Sequence, residues 1–499
     1  MIIFKKFYIT TAIDYTNAKP HLGHAYEKII ADVIARWHRL REEDVFFLAG
    51  TDEHGQKVEK AAIKVDKSPK EFVDELVKFF IDYYKKLEVS NDDFIRTTEE
   101  RHTKIAQQIF KKVFDKGDIY KGHYEGLYCV SCEAFYTEKD AVDGNCPVHK
   151  TKLDVIKEES YFFKLSKYQQ KIIDHIKNNK DFIFPEQRRN EILNRLKEPL
   201  KDLSVSRCSL KWGIPLPNDE NHVIYVWFDA LLNYISAIDY PKEKFKKYWP
   251  ADIQVIGKDI SWFHTVIWPG ILFAADIELP KTILIHGFIN MGGEKLSKSR
   301  GLMIDPVEIS KKYTADALRY FLMREIPLGE DGNYSEEALA NRYNSELADS
   351  LGNLVNRVLV LVEKNFEGLI PKPHREDKLN KLAVNICKAV ENSMEELQFH
   401  NALNDIFYLV NESNKYINEK KPWEIKDKTE LGGILYELLE TLRFSAILLQ
   451  PFMPETSEKI FDQLGLEKKF SFNDLKWGKL NVGTKIRRGK VLFEKIKTK

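Results

Sequence analysis

Phe7-Tyr8-Ile9-Thr10-Thr11-Ala12-Ile13 is rich in β-branched and aromatic residues and ends in a turn, Asp14-Tyr15-Thr16-Asn17-Ala18-Lys19-Pro20. Apolar side chains then recur at Leu22, Ala25, Tyr26, Ile29, Ile30, Val33, Ile34, Trp37 and Leu40. That spacing predicts a helix directly after a strand. Strand and helix patterns alternate to about residue 115, as expected for half of a doubly wound α/β domain. Residues 116–225 break the alternation and read as an insertion, after which the α/β core is expected to resume with Val223 to Trp227. A further strand is expected over Thr282-Ile283-Leu284-Ile285-His286-Gly287-Phe288-Ile289. Beyond residue 335 strand patterns vanish, and Leu347, Leu351, Leu354, Val355, Val358, Leu361 and Val362 form a helical stripe. A helical bundle is expected to about residue 465, with no internal repeat or low-complexity tract.

Composition alters this picture little. With 499 residues, 43% of them hydrophobic, the chain can bury several cores. The net charge of +1 excludes nucleic-acid binding by bulk charge, so an RNA surface must be a local patch. Lys485-Ile486-Arg487-Arg488-Gly489-Lys490 is one such patch, or a solvated end. No apolar run approaches membrane-span length, and Met1 to Lys6 leads almost directly into the first strand, so neither membrane insertion nor a leader peptide is expected. Five cysteines, an odd count, suit a reducing cytoplasm and not a disulfide scaffold.

Three motifs carry chemistry. Pro20-His21-Leu22-Gly23-His24 opens the first helix, where free N–H groups and the helix dipole favour anions. His21 and His24 add donors, and Gly23 lets a ligand approach the backbone. A metal pair or two surface histidines are the alternatives; the strand–turn–helix context favours phosphate. Lys295-Leu296-Ser297-Lys298-Ser299, then Arg300, follows a strand and the turn Met291-Gly292-Gly293-Glu294. A cationic loop there can close over a triphosphate as charge moves to the leaving group. The third motif is Cys129-x2-Cys132 with Cys146-x2-His149. Three thiolates and one imidazole complete a tetrahedral shell suited to one structural Zn²⁺, with His123 the alternative to His149. Neither a P-loop nor a Gly-x-Gly-x-x-Gly fingerprint occurs.

The two nucleotide motifs, in this order, resemble the His-Ile-Gly-His and Lys-Met-Ser-Lys-Ser hallmarks of class I aminoacyl-tRNA synthetases, with Leu at each hydrophobic position. Within that class the chain resembles the methionyl-tRNA synthetase family along nearly its whole length. The carrying segments are Ala12-Ile13-Asp14-Tyr15, Gly50-Thr51-Asp52-Glu53-His54-Gly55, Tyr225-Val226-Trp227-Phe228-Asp229-Ala230, Gly257-Lys258-Asp259-Ile260 with Phe263-His264, and Lys421-Pro422-Trp423.

The resemblance implies a Rossmann-like catalytic domain in two halves, 1–115 and 226–335, a connective insertion with the zinc knuckle over 116–225, and an all-α anticodon-binding bundle with its tail over 336–499. It implies activation of L-methionine with Mg²⁺-ATP to methionyl-adenylate and pyrophosphate, then transfer to the 3′-terminal ribose of tRNA(Met), the initiator included. His21, Gly23, His24, Lys295 and Lys298 would bind ATP, and the histidines and lysines would act in catalysis. Ile13, Tyr15, Trp227, Ala230, Tyr234, Ile260, His264 and Trp268 would line the methionine pocket, with Asp52 on the α-ammonium. Asn353 and Arg357, four apart on one helix face, would read anticodon bases, and Trp423 after Pro422 would stack on one. A cytoplasmic monomer is expected. Isoleucyl, valyl and leucyl synthetases share the ATP motifs, but the span from His24 to Lys295 has little room for their editing insertion. A non-enzymatic zinc and RNA-binding protein is the reading from a different class.

Overall fold

A computed structural model describes residues 5–130, 134–136, 141–147, 150–291, 294–295, 304–374, 378–466 and 470–497. The core sheet contains β1 (Lys6–Thr11), β2 (Asp14–Tyr15), β3 (Asp44–Asp52), β4 (Asp93–Arg96), β5 (Ile183–Phe184), β6 (Ile253–Gly257) and β7 (Thr282–His286). All its pairings are parallel, in the order β2-β3-β1-β6-β7-β5, with β4 on β3. The short β2 continues the line of β1 along β3, placing Tyr15 opposite Asp52. The order reverses between β1 and β6. In an open α/β sheet the crevice beyond the strand ends at such a reversal is where ligands bind.

The predicted first helix forms as α1 (Leu22–Leu40), almost entirely buried between sheet and bundle. Two further helices, α2 (Pro69–Lys86) and α3 (Glu100–Asp115), flank the first half-sheet. Ser68 caps α2 with Glu71 in a reciprocal capping box.

The insertion departs from the sequence reading in two ways. Part of it belongs to the core: Ile183–Phe184 is the edge strand β5, paired with β7. The core does not resume at Val223. Asp219–Ile224 instead pairs antiparallel with Ser206–Arg207 and Pro215–Leu216 in a small separate sheet, and Val226–Leu231 is a helix, α4. Alternation in a short apolar run cannot say which sheet it joins. Re-entry comes at β6, followed by α5 (Trp268–Ala274).

Beyond β7 the chain passes through α6 (Ala315–Glu325) into a π-helical stretch, Tyr343–Gly352, and then α7 (Asn353–Phe366). The bundle continues with α8 (Lys378–Glu395), α9 (Phe399–Lys420), α10 (Lys428–Leu449) and α11 (Pro454–Gln463). From Leu431 to Leu449 every residue of α10 is buried, as suits the central helix of a bundle. Buried Arg319 on α6 locks bundle to sheet domain: it donates to the carbonyls of Leu87, Pro451 and Phe452 and pairs with Asp32 of α1 at 2.7 Å.

Candidate active site

His21 is the extended N-cap of α1, with φ −135° and ψ 176°. Its Nδ1 accepts from the Gly23 N–H at 3.1 Å, and the Nδ1 of His24 accepts from the His21 N–H at 3.0 Å. Two imidazoles thus form a capping box usually built from Ser or Thr and Glu or Gln. A ring nitrogen that accepts an N–H bears no proton of its own, so both neutral rings carry it on Nε2. The rings lie 3.9 Å apart between centroids. They present two N–H donors beside the helix terminus, an arrangement suited to phosphate oxygens. A Cβ on Gly23 would lie 3.0 Å from His21 Cε1, so a side chain there would displace the ring. Beneath them, buried Lys28 pairs with Asp14 at 2.9 Å and Glu27 at 2.6 Å, and Glu27 faces His286 of β7 at 3.3 Å. Burial pushes the Glu27 carboxyl up, but Lys28 and His286 outweigh it and hold it down at about 2. This network fixes α1 against β2 and β7.

Lys295 lies on a two-residue strand, Glu294–Lys295, antiparallel to Ile289–Met291 just beyond β7, with its backbone opposite Asn290. Lys298 lies outside the described residues.

The residues expected around methionine fall at the carboxyl ends of the strands and on the helices behind them. Tyr15 and Asp52 are neighbours in register, and the Asp52 carbonyl accepts from the N–H and hydroxyl of Thr16, each at 3.0 Å. Half-buried Ile13 lies against Gly50, where a Cβ would come within 3.0 Å of Ile13 Cγ2. Half-buried Trp227 stacks on Phe263, centroids 3.8 Å apart and 10° from parallel. The His264 ring meets Trp227 edge-on at 6.3 Å. His264 Nδ1 lies 3.0 Å from the Ile260 carbonyl, which can only accept, so Nδ1 carries the proton and Nε2 accepts from the Tyr234 hydroxyl at 2.7 Å. Burial pushes the imidazole down to about 4, so His264 is neutral at pH 7. Ala230 is buried on α4. Trp268 is fully buried behind Tyr234, its Nε1 donating to Gln254 at 3.2 Å, and it supports that ring from the core.

Three residues here had no role in the sequence reading. Phe263 supplies the stacking partner of Trp227. His54, just beyond the end of β3, bonds to Asp229 on α4, His54 Nδ1 to Asp229 Oδ2 at 2.7 Å. All three lie in segments that carried the resemblance, but contacts between residues so far apart in the chain leave no mark on local periodicity.

In the knuckle, Cys129 and Cys146 are buried and pack with Leu153 in a small core of their own. The turn is tight: Lys150 N–H donates to the Cys146 carbonyl, and Cys146 N–H to that of Thr151, both at 2.8 Å. Two buried thiols in one small core, one of them at the start of such a turn, fit half of a zinc shell; Cys132 and His149 lie outside the described residues. His123 sits six residues before Cys129 on one strand, Ile119–Cys129, about 20 Å away along an extended chain, which does not suit it as a shared ligand.

In the bundle, Asn353 begins α7 in an exposed position, and Arg357 follows one turn later. The Arg357 guanidinium lies 6.0 Å from the centroid of the Trp423 ring, which is 54% exposed, and donates to Asn418 of α9 at 2.8 Å. Lys421, left-handed at φ 45°, ends α9 and turns the chain so that Pro422 is buried and Trp423 faces out. Among the described residues no helix is long and apolar enough to cross a membrane.

A phosphate-type helix terminus at the switch point of a parallel sheet, with an α-helical bundle behind it, is the frame of a class I tRNA synthetase. A family model described as tRNA synthetases class I (M) matches residues 7–155 and 148–359, and one for the anticodon-binding domain of tRNA ligases matches 378–493. The chain is 49% identical to the methionine–tRNA ligase of Caldanaerobacter subterraneus, over 99% of its own length and 79% of that protein. It is 44% identical to that of Thermotoga maritima, over 99% and 81%. A solved structure of Mycobacterium tuberculosis methionyl-tRNA synthetase in complex with methionyl-adenylate superposes with a TM-score of 0.95 at 40% identity, covering 98% of this chain and 100% of that one. The chain belongs to the methionine family of class I tRNA synthetases.

Proposed function

We propose that this protein activates L-methionine with ATP and transfers it to the 3′-terminal ribose of tRNA(Met), initiator tRNA included. The methionine carboxylate attacks the α-phosphorus in line, and pyrophosphate leaves with the bonding electron pair. A ribose hydroxyl of the tRNA, the 2′ in most class I enzymes, then attacks the adenylate carbonyl, and AMP leaves. No protein nucleophile is required; rate comes from positioning and from stabilising charge on the leaving group. His21 and His24 donate to the phosphates from the end of α1, over Gly23. Following the resemblance, Lys295 and Lys298 would supply positive charge to the same phosphates. Mg²⁺ accompanies ATP and shields its charge.

Methionine lies between Trp227, Ile13, Ala230 and Ile260, its sulfur toward the aromatic side and its ammonium on Asp52. Neutral His264, oriented by Tyr234, and Tyr15 complete the polar contacts; Trp268 backs the pocket. Asn353, Arg357, Pro422 and Trp423 form the anticodon platform, where Trp423 offers a face to an unstacked base. One structural Zn²⁺ held by Cys129, Cys132, Cys146 and His149 would brace the insertion and take no part in the chemistry. The protein would work as a monomer in the cytoplasm.

The observation that carries this reading is the imidazole capping box, which engages both Nδ1 atoms with the backbone of the helix terminus and so puts each neutral ring's proton on Nε2. The test is ATP–pyrophosphate exchange with each of the twenty amino acids. Exchange with methionine alone, abolished in His24→Ala, is expected. Exchange driven by another amino acid would overturn the pocket assignment.

A further inference from the structure

Behind the proposed methionine pocket lies a buried group that the reaction does not use. Asp229, fully buried on α4, receives two imidazoles: His54 Nδ1 on Oδ2 at 2.7 Å and His102 Nε2 on Oδ1 at 2.6 Å. A carboxylate only accepts, so both ring nitrogens are donors. His102, itself fully buried on α3, is held at its other nitrogen by the Ser236 hydroxyl at 2.8 Å. His54 is held edge-on by Trp212 at 5.4 Å, whose Nε1 donates to the Glu53 carbonyl at 2.6 Å. Burial pushes Asp229 up, and the two histidines overcome it and keep the carboxyl below its usual range.

Such a cluster is a costly way to fill a core. Apolar side chains of similar volume would stabilise as well or better, so its worth is sought in geometry. Its members stand next to residues assigned above to methionine. His54 is two residues beyond Asp52 at the end of β3, and Asp229 is two beyond Trp227 on the first turn of α4. The two halves of the pocket come from distant parts of the chain, and the His54–Asp229 bond joins them directly.

We propose that Asp229, acting through the side chains of His54 and His102, is a positioning residue that sets the distance between Asp52 and Trp227 and so the fit of methionine. This rests on the assignment of those two residues to the amino-acid pocket. The ATP half of the site, held by α1 and β7, does not depend on it. Loosening the clamp therefore acts on methionine and spares ATP.

The test uses the geometry of the imidazoles. Asparagine places an amide N–H near the Nδ1 position of histidine, and glutamine places one near Nε2. His54→Asn should keep the methionine KM within about threefold of wild type, whereas His54→Gln should raise it about tenfold. His102 bonds through Nε2, so the order reverses: His102→Gln is tolerated and His102→Asn is not. Asp229→Asn should raise the methionine KM about tenfold or more, with the ATP KM and kcat of exchange changed far less. A purely structural role would lower kcat through loss of active enzyme, change the methionine and ATP KM values alike, and not separate Asn from Gln in opposite senses at the two sites. Equal effects of Asn and Gln at both sites, or parallel losses for methionine and ATP, overturn the proposal. Should Asp229→Asn fail to fold, the histidine pairs still decide. Asp52→Ala tests the underlying assignment separately. A methionine KM unchanged in Asp52→Ala removes that assignment and the proposal with it; a large rise there beside indifferent histidine variants removes the proposal alone.

Discussion

His24 has two jobs on two nitrogens, and a single substitution separates them. Nδ1 caps α1 by accepting from the His21 N–H at 3.0 Å; Nε2 carries the ring proton and, in the proposed reaction, donates a hydrogen bond to phosphate. In His24→Asn the amide oxygen can take the place of Nδ1 and keep the cap, while the distal donor is lost. A hydrogen bond to a charged group is worth about 1.5–3 kcal/mol, and at 1.36 kcal/mol per factor of ten this is roughly a 10- to 150-fold loss in the exchange rate. The loss should fall on kcat if the contact tightens as charge reaches the leaving pyrophosphate. Stability should hardly move. His24→Ala loses the same donor and also the cap, which adds about 1 kcal/mol of destabilisation. The assays are methionine-dependent ATP–pyrophosphate exchange and urea unfolding followed by tryptophan fluorescence. A His24→Asn enzyme with wild-type exchange would refute the phosphate role of Nε2. Equal stability of the Asn and Ala variants would refute the capping role of Nδ1.

Three other outcomes follow from the same geometry. Tyr234→Phe removes the hydroxyl that donates to the buried Nε2 of His264 at 2.7 Å, so about 1–3 kcal/mol of stability should go with it; a rise in methionine KM with unchanged ATP KM, measured by exchange, checks that the ring belongs to the pocket. Trp423→Ala, at a ring that is 54% exposed, should lower kcat/KM for tRNA charging about tenfold or more through loss of one stacked base, leaving tRNA-independent exchange intact; equal loss in both assays would disprove it. Glu88 is raised to about 7, first by burial and then by the charge of Asp316. A raised carboxyl contributes stability fully below its unfolded value, about 4.5, and loses it as pH rises through 7. The wild type should therefore lose stability relative to Glu88→Gln between pH 5 and 8, by under about 2 kcal/mol because the group is partly solvated; parallel urea midpoints across that range would contradict this.

The sequence alone determined the elements whose signals are local. The predicted strand before His21 appears as Lys6–Thr11, and the stripe from Leu22 to Leu40 appears as a helix with those bounds. A period of 3.6 or 2 and a turn rich in Pro, Asn and Asp act within a few residues, so they survive whatever the rest of the chain does. The motifs that carry the resemblance are likewise short and contiguous. What tertiary structure decided is every contact between segments. It put Ile183–Phe184 into the core sheet and kept Asp219–Ile224 out of it, since strand pairing is chosen by partners and not by the strand. It set the tautomers of His21, His24 and His264, which follow from the neighbour each ring nitrogen meets. It also joined His54, His102 and Asp229, three residues far apart in the chain, in one buried cluster. Such a cluster exists only because folding removes all three from water together, leaving each polar atom to find its partner in the chain.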